Sequence, residues 1–169
     1  NAIDEACGTA IEGIINPSAG LAVGDIDGDG KVEIVAIHEN NQSILIYSHR
    51  GELLLQAGNT YFGGNTPLPA IANLDQRGFA EVIVGRTVFA FTRDGESGQL
   101  ALVSQWFGSG TQGKAENDLG PAVCIADLVD DLQSEIVAGS TVYRFPKGPE
   151  TLEAPSQCSG DETDPEEVA

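Results

Sequence analysis

The sequence predicts an all-β protein built from repeated antiparallel sheets, and three observations support this prediction. The chain has 169 residues, of which 41% are hydrophobic, with 21 glycines and no methionine. Short β-branched runs alternate with turn-forming residues, and no stretch shows a convincing helical period. A pattern of strand, acidic loop and strand occurs three times, which indicates a repeated architecture.

The three repeats align on an acidic loop between two apolar runs. The loops open at Asp25, Asn73 and Asp127, and each has a Glu eight residues later. The openings lie 48 and then 54 residues apart. Three such segments in register indicate an internal duplication. Below, the first loop is residues 25–33, the second is 73–81 and the third is 127–135.

Predicted strands follow each loop, and turn residues separate them. With an outer strand added, each repeat becomes a four-stranded antiparallel meander of about 50 residues, the size of a propeller blade. The predicted strands after the loops are residues 32–37, 43–47 and 53–56, then 82–84, 87–91 and 100–106, then 136–138 and 141–145.

These units divide the chain into five segments. The N-terminal segment contains residues 9–15, which can supply a ring-closing strand or end a preceding blade. Three blades leave two sheet faces open, so we expect a larger propeller, completed by missing sequence, another chain or an assembly. The segments are 1–18 (N-terminal), 19–66 (blade 1), 67–118 (blade 2), 119–148 (partial blade 3) and 149–169 (acidic tail or linker).

The formal net charge of −18 excludes nucleic acid and anionic membranes as expected partners, because both repel a strongly acidic surface. No apolar run is long enough to span a bilayer, so we expect no membrane insertion. The chain begins at Asn1 rather than Met, and we expect a processed or excised chain.

The three cysteines differ in their surroundings. Cys124 lies in an apolar run and is expected to be a buried small hydrophobic residue. Cys7 and Cys158 lie in polar flanking segments, where they can pair with each other or with cysteines outside this chain.

The first loop carries the chemistry of a calcium site. Its carboxylates fall at positions 1, 3, 5 and 9, and Ca²⁺ prefers six to eight oxygen ligands. Four clustered carboxylates would repel one another without a cation. The carbonyl of Lys31 can add an oxygen at position 7, with its ammonium group pointing to solvent. The predicted ligands are Asp25, Asp27, Asp29, Lys31 and Glu33.

An EF-hand loop also begins with Asp-x-Asp-x-Asp-Gly, but it differs from the first loop in two ways. It requires a bidentate Glu at position 12, where this chain has Ala36, and it requires flanking helices. The sequence offers strands and a Glu at position 9, so we reject the EF-hand interpretation.

The first loop resembles those of FG-GAP (also called VCBS-type) repeats, which build the seven-bladed propellers of integrin α-subunits and of many secreted bacterial proteins. The family pattern, Asp-x-Asp-x-Asp-Gly-x-x-Asp/Glu between the first two strands of a blade, is matched in full by residues 25–33. Phe62-Gly63 and Phe107-Gly108 resemble the Phe-Gly dipeptide after which the family is named. The resemblance covers about residues 20–146 and implies a propeller fold with structural calcium.

The other two loops depart from this pattern, and we expect weaker metal binding or metal-free turns there. Arg77 replaces the third ligand of the second loop, and its guanidinium can pair with a carboxylate in place of the cation. Val129 and Leu132 replace a ligand and the glycine of the third. The candidate ligands are Asn73, Asp75 and Glu81 in the second loop and Asp127, Asp131 and Glu135 in the third.

The sequence offers weaker evidence for other functional sites. His38 and His49 have no partner spacing typical of a triad or zinc site. Trp106 and nearby aromatic residues can form a carbohydrate-binding face or pack between blades. Asn41-Gln42-Ser43 is a glycosylation sequon, which matters only in a eukaryotic secretory pathway.

The sequence thus predicts a non-catalytic, calcium-binding propeller module that is secreted or on the cell surface. Its expected role is adhesion, recognition or scaffolding, with a glycan or a protein as ligand. Two alternatives remain open: a propeller domain of a secreted polysaccharide-degrading enzyme, and a structural filament or coat subunit.

Overall fold

The computed structural model describes residues 14–59, 61–108, 120–131, 133–139 and 141–145, and in these residues the fold is all-β. It contains three antiparallel sheets of three or four strands, each a simple meander. The all-β prediction and its three repeated sheets are therefore confirmed. The N-terminal residues 1–13 and the acidic tail, with Cys7 and Cys158, lie outside the described residues.

Each sheet follows chain order, and the eight strands predicted after the loops begin and end within two residues of their predicted positions. The first sheet is β1 Ala22–Gly24, β2 Glu33–Ile37, β3 Ile44–Tyr47 and β4 Leu53–Ala57. The second is β5 Ala70–Ala72, β6 Glu81–Val84, β7 Thr87–Arg93 and β8 Leu100–Phe107. The third is β9 Val123–Ala126, β10 Glu135–Ala138 and β11 Thr141–Arg144.

The first two sheets share the larger hydrophobic core. Alternate residues of a strand point to opposite faces, so one face of each sheet contributes. Val35 and Ile46 from the first sheet, which are register partners, pack in this core with Val82 and Phe89 of the second. Phe62 is fully buried there and contacts Phe89 edge to face. The predicted Phe62-Gly63 pair thus supplies a core residue.

A second core joins the second and third sheets. Ile83 and Val88 of the second sheet pack with Ile136 and Tyr143 of the third. Gly108 follows β8 at a point of close approach, since a Cβ placed on it would lie 2.5 Å from Tyr143 Cε1. The glycine of the second Phe-Gly pair is therefore needed for this packing.

The same backbone contact links consecutive repeats. Gly20 N–H donates to Pro67 O (3.0 Å), and Leu68 N–H donates to Pro121 O (2.8 Å), at equivalent repeat positions. The first strands of the sheets are also neighbours, because β1 contacts β5 and β5 contacts β9. Each acidic loop joins the first two strands of its sheet, so all three loops lie at equivalent places.

One expectation about burial is wrong. Cys124 is exposed rather than buried, because Val123 and Ile125 on either side of it turn towards the second core. Of the predicted segment 9–15 the structure describes residues 14 and 15, and Ile15 forms an isolated bridge with His38, next to β2. No helix in the described ranges is long and apolar enough to cross a bilayer.

Candidate metal centre

The first loop brings three carboxylates together between β1 and β2. Asp25, Asp27 and Asp29 each place one oxygen within 4.8 Å of the others. Oxygens that share one Ca²⁺ at 2.3–2.6 Å must lie within about 5 Å of one another, so this spacing fits a common ion. These are the residues predicted at loop positions 1, 3 and 5.

Backbone N–H groups hold all three carboxylates in place, and Asp29 accepts the N–H of Lys31 at 2.8 Å. Asp25 accepts from Gly28 (2.7 Å) and Gly30 (2.9 Å), and Asp27 accepts from the N–H of Asp29 (3.1 Å). Both glycines have positive φ, 76° and 83°, which allows the chain to wrap around the carboxylates. The glycines and the backbone hydrogen bonds of the loop therefore bring the three carboxylates together.

Glu33 does not join this group. Its side chain is buried, and Oε2 accepts the N–H of Ile26 at 2.9 Å. Burial raises the pKa of Glu33, and the nearby charges of the three aspartates raise it further. Glu33 thus closes the loop onto β2, and its predicted role as a fourth carboxylate ligand stays a prediction.

Lys31 also differs from the expected arrangement. Its ammonium group pairs with Asp29 Oδ2 at 3.0 Å instead of pointing only to solvent. Hydrogen bonds from Lys31 hold the pKa of Asp29 below its usual value. The physical reason is the dense negative charge of the loop, which attracts the nearest cation.

Arg93, at the end of β7, is a second cation at this site that sequence reasoning missed. Its guanidinium pairs with Asp27 Oδ2 and lies 4.0 Å from Asp29 Oδ2. The side chain of Asp27 is only 7% exposed although the loop is at the surface. No sequence signal links residues so far apart, and Arg93 lies two residues beyond the predicted strand 87–91.

The second loop keeps the backbone shape of the first but has Arg77 at the position of Asp29. Gln76 stands at the position of Gly28 and also has positive φ (59°). The N–H of Arg77 donates to Asn73 Oδ1 (2.9 Å) and to Asp75 Oδ1 (2.8 Å). Asn73 and Asp75 therefore serve as turn acceptors. Pairing of the Arg77 guanidinium with Asp75 or Glu81 stays a prediction.

The third loop holds an arginine among its carboxylates. Arg144 of β11, directly opposite Glu135 in the register, donates twice to Glu135 Oε1 (2.9 and 3.1 Å). The same guanidinium lies 3.3 Å from Asp131 Oδ2. Asp127 accepts the N–H of Asp131 at 3.3 Å. A guanidinium thus neutralises the two candidate ligands that the sequence placed in this loop at positions 5 and 9.

A buried glutamate recurs at position 9 of all three loops. Its Oε2 accepts the N–H of the residue at position 2, at 2.9 Å from Ile26, 2.8 Å from Leu74 and 2.9 Å from Leu128. Burial raises the pKa of Glu81 to about 7. The repeated glutamate is therefore a structural tie between loop and strand.

A groove runs beside the first loop, with a volume of about 300 Å³. The loop carboxylates of Asp27 and Asp29 form one wall, and the β7–β8 hairpin with Arg93 forms the other. His49 also lines the groove. His38 lies elsewhere, and its Nδ1 accepts the N–H of Asn40 at 3.2 Å.

The sequon asparagine is buried in a hydrogen-bond network. Asn41 is 8% exposed, its Oδ1 accepts from Asn16 Nδ2 (2.6 Å), and its own Nδ2 donates to Gly64 O (3.3 Å). A glycan on Nδ2 would have to break these contacts. The buried position of Asn41 therefore argues against attachment of a glycan to the folded protein at this residue.

No protein-family model matches this chain, and no curated protein sequence matches it. A solved structure is similar: the crystal structure of the V. cholerae biofilm matrix protein Bap1. The TM-score is 0.51 and the sequence identity is 25%, over 74% of this chain and 18% of Bap1. The chain thus spans less than a fifth of the length of this relative.

Proposed function

We propose that this chain is a calcium-binding, non-catalytic module of an extracellular adhesion or scaffold protein. In this proposal its sheets are consecutive blades of an FG-GAP-type propeller. The observation that carries it is the convergence of Asp25, Asp27 and Asp29 within 4.8 Å between two strands. The ion acts structurally, by tying β1 to β2 at the rim of the blade.

The electrostatics of the first loop support a divalent ion. Three carboxylates share a small volume, while the chain as a whole carries a net charge of −18, which concentrates cations near its surface. Hard oxygen ligands without nitrogen or sulfur favour Ca²⁺ or Mg²⁺ over zinc. The six oxygens of the three carboxylates match the six to eight that Ca²⁺ takes.

The structural relative supports the extracellular role. Bap1 is described as a biofilm matrix protein, and a matrix protein works outside the cell. An ion bound with a dissociation constant on the order of 10⁻⁴ to 10⁻³ M stays in place only where calcium is millimolar, as it is in many extracellular settings.

The packing of the sheets supports the propeller arrangement. Consecutive sheets pack face to face through two separate cores, and their first strands lie side by side. In a propeller the first strand of each blade lines the central axis, which places these strands together. The hydrogen bonds from Gly20 to Pro67 and from Leu68 to Pro121 repeat one contact between consecutive sheets.

Calcium titration with Asp27→Ala tests the proposal. We expect wild-type protein to bind one Ca²⁺ in isothermal titration calorimetry, and its melting temperature to fall by several degrees in EDTA. Asp27→Ala removes one of the three converging ligands, so it should abolish the heat of binding and most of the EDTA effect.

The matched control is Asp75→Ala, the same substitution at the equivalent position of the second loop. It should lower the melting temperature through the lost turn contact to Arg77 while leaving the response to EDTA intact. A melting curve of wild-type protein that EDTA does not move contradicts the structural role of calcium.

A further inference from the structure

Arg93 connects two sheets through the first loop. The residue ends β7 in the second sheet, and its Nη1 donates to Gly98 O at 2.9 Å, across its own hairpin. Its Nη2 pairs with Asp27, which belongs to the first sheet's loop. The guanidinium thus bridges the β7–β8 hairpin and the acidic loop.

The third loop shows what a guanidinium does among such carboxylates. Arg144 is placed between Asp131 and Glu135, where its positive charge balances theirs. The equivalent of Arg144 in the first sheet is Ser48, so the first loop has no such cation from its own sheet. Lys31 pairs with Asp29 from within the loop, and Arg93 supplies a guanidinium to Asp27 from the neighbouring sheet.

A guanidinium and a divalent ion compete for the same carboxylate pair. Both need the oxygens of Asp27 and Asp29, and a divalent ion at the centre of the loop would lie only a few Å from Nη2. At about 5 Å, even with the dielectric constant of water, the repulsion between charges of +2 and +1 weakens ion binding about tenfold or more.

We propose that Arg93 is the resident counter-cation of the first loop, and that a divalent ion enters by displacing its guanidinium from Asp27. This inference rests on the proposed function for the ion itself. Arg93 then sets the affinity of the site, and ion binding breaks this polar link between the β7–β8 hairpin and the first loop, while the hydrophobic core between the two sheets stays in place. The third loop takes no ion, because the guanidinium of Arg144, from the same sheet, occupies the position that the ion would need.

Calorimetric titration of Arg93→Ala with Ca²⁺ tests the exchange. We expect the variant to bind Ca²⁺ about tenfold more tightly than wild type, because the competing charge is gone. In EDTA its melting temperature should fall by a few degrees, because the carboxylates lose their partner. Arg93→Gln keeps a donor for Gly98 O without the charge and should also bind more tightly, which covers failure of the alanine variant to fold.

The matched control is Arg50→Ala, which removes one positive charge from the β3–β4 turn. Among the described residues the guanidinium of Arg50 makes no ion pair. The affinity of Arg50→Ala for Ca²⁺ should therefore differ from that of wild type by less than twofold. Unchanged or weaker Ca²⁺ binding by Arg93→Ala and Arg93→Gln overturns the proposal.

Failure of the proposed function is a separate result. If wild-type protein and both variants bind no Ca²⁺, the ion site is lost and the exchange with it. A double-mutant cycle of Arg93→Ala and Asp27→Ala in EDTA then decides the remaining claim. If the effects of the two substitutions on the free energy of unfolding are coupled, Arg93 remains the counter-cation of the loop. If the effects are additive, Arg93 does not have that role either.

Discussion

Individual charges in the loops are balanced by residues that differ from repeat to repeat. Lys31 and Arg93 serve the first loop, and Arg144 serves the third. Clustered carboxylates need a nearby cation, but the chain supplies it from the loop, from a neighbouring sheet or from the same sheet. The backbone of the loop is thus kept while the identity of its cation changes.

Removing the cation of the third loop should destabilise the protein. Arg144→Ala leaves Glu135, whose side chain is 5% exposed, without its ion-pair partner. We expect the free energy of unfolding to drop by about 1–3 kcal/mol, because a buried charge loses its compensation. Urea denaturation at neutral pH measures this, with Arg50→Ala as the control near zero. Equal values for both variants would contradict the role of Arg144.

Glu81 should make stability depend on pH. Its pKa is raised from 4.5 to about 7 in the folded protein. Between these values the unfolded chain releases a proton that the folded chain keeps, so the free energy of unfolding should decrease as pH rises from about 4.5 to 7. Glu33, whose pKa is also raised, adds to the same slope.

Urea denaturation of Glu81→Gln at pH 5 and at pH 7.5 tests this dependence. The amide oxygen can still accept the N–H of Leu74, but it carries no titrating proton. We expect the variant to lose part of the wild-type decrease between the two pH values, while the exposed control Glu96→Gln keeps it. The same decrease in Glu81→Gln and wild type would refute the assignment.

At the scale of strands and sheets, short-range pattern was enough to predict the all-β class and the three antiparallel sheets. Alternating β-branched runs and turn residues located the strands, because these signals depend on neighbours in sequence. β7 extends two residues beyond its predicted end, and this extension carries Arg93. Ion pairs from Arg93 and Arg144 depend on how sheets fold and pack, which the loop motif alone does not encode.

The contact between the second and third sheets depends on a missing side chain. Gly108→Ala would place a methyl group 2.5 Å from the buried ring of Tyr143. The ring also packs edge to face with Trp106, so it has little room to move. We expect a loss of about 1–3 kcal/mol of stability from overpacking, measured by urea denaturation.

Gly95→Ala is the control for this substitution. A Cβ on Gly95 meets nothing within 4 Å, so its effect should stay within about 0.5 kcal/mol. A Gly108→Ala variant as stable as wild type would show that the second and third sheets do not approach each other as described.

Across the described part of the molecule, equivalent positions of the three sheets differ in their exposure. Ile46 is 0% exposed under the second sheet and Val88 is 1% exposed under the third, but Val142 at the same repeat position is 46% exposed. Each sheet covers this face of the sheet before it. The open face of the third sheet therefore suits a further sheet of the same kind, from this protein or another chain.

We expect the isolated chain to self-associate through this face. Light scattering should give a mass that rises with concentration, and Val142→Lys should lower it by placing a charge on the apolar surface. Val103→Lys, which adds the same charge on the outer strand β8, should leave the association unchanged. A monomer at all concentrations would contradict the expected larger assembly.

The central claim is that a calcium ion lies between the three carboxylates of the first loop. Anomalous X-ray diffraction from crystals grown in millimolar calcium tests it most directly. The account predicts one anomalous peak within about 2.3 to 2.6 Å of oxygens from Asp25, Asp27 and Asp29, with no peak beside Arg144. An empty first loop at that calcium concentration, with its carboxylates held only by Arg93 and Lys31, would contradict it.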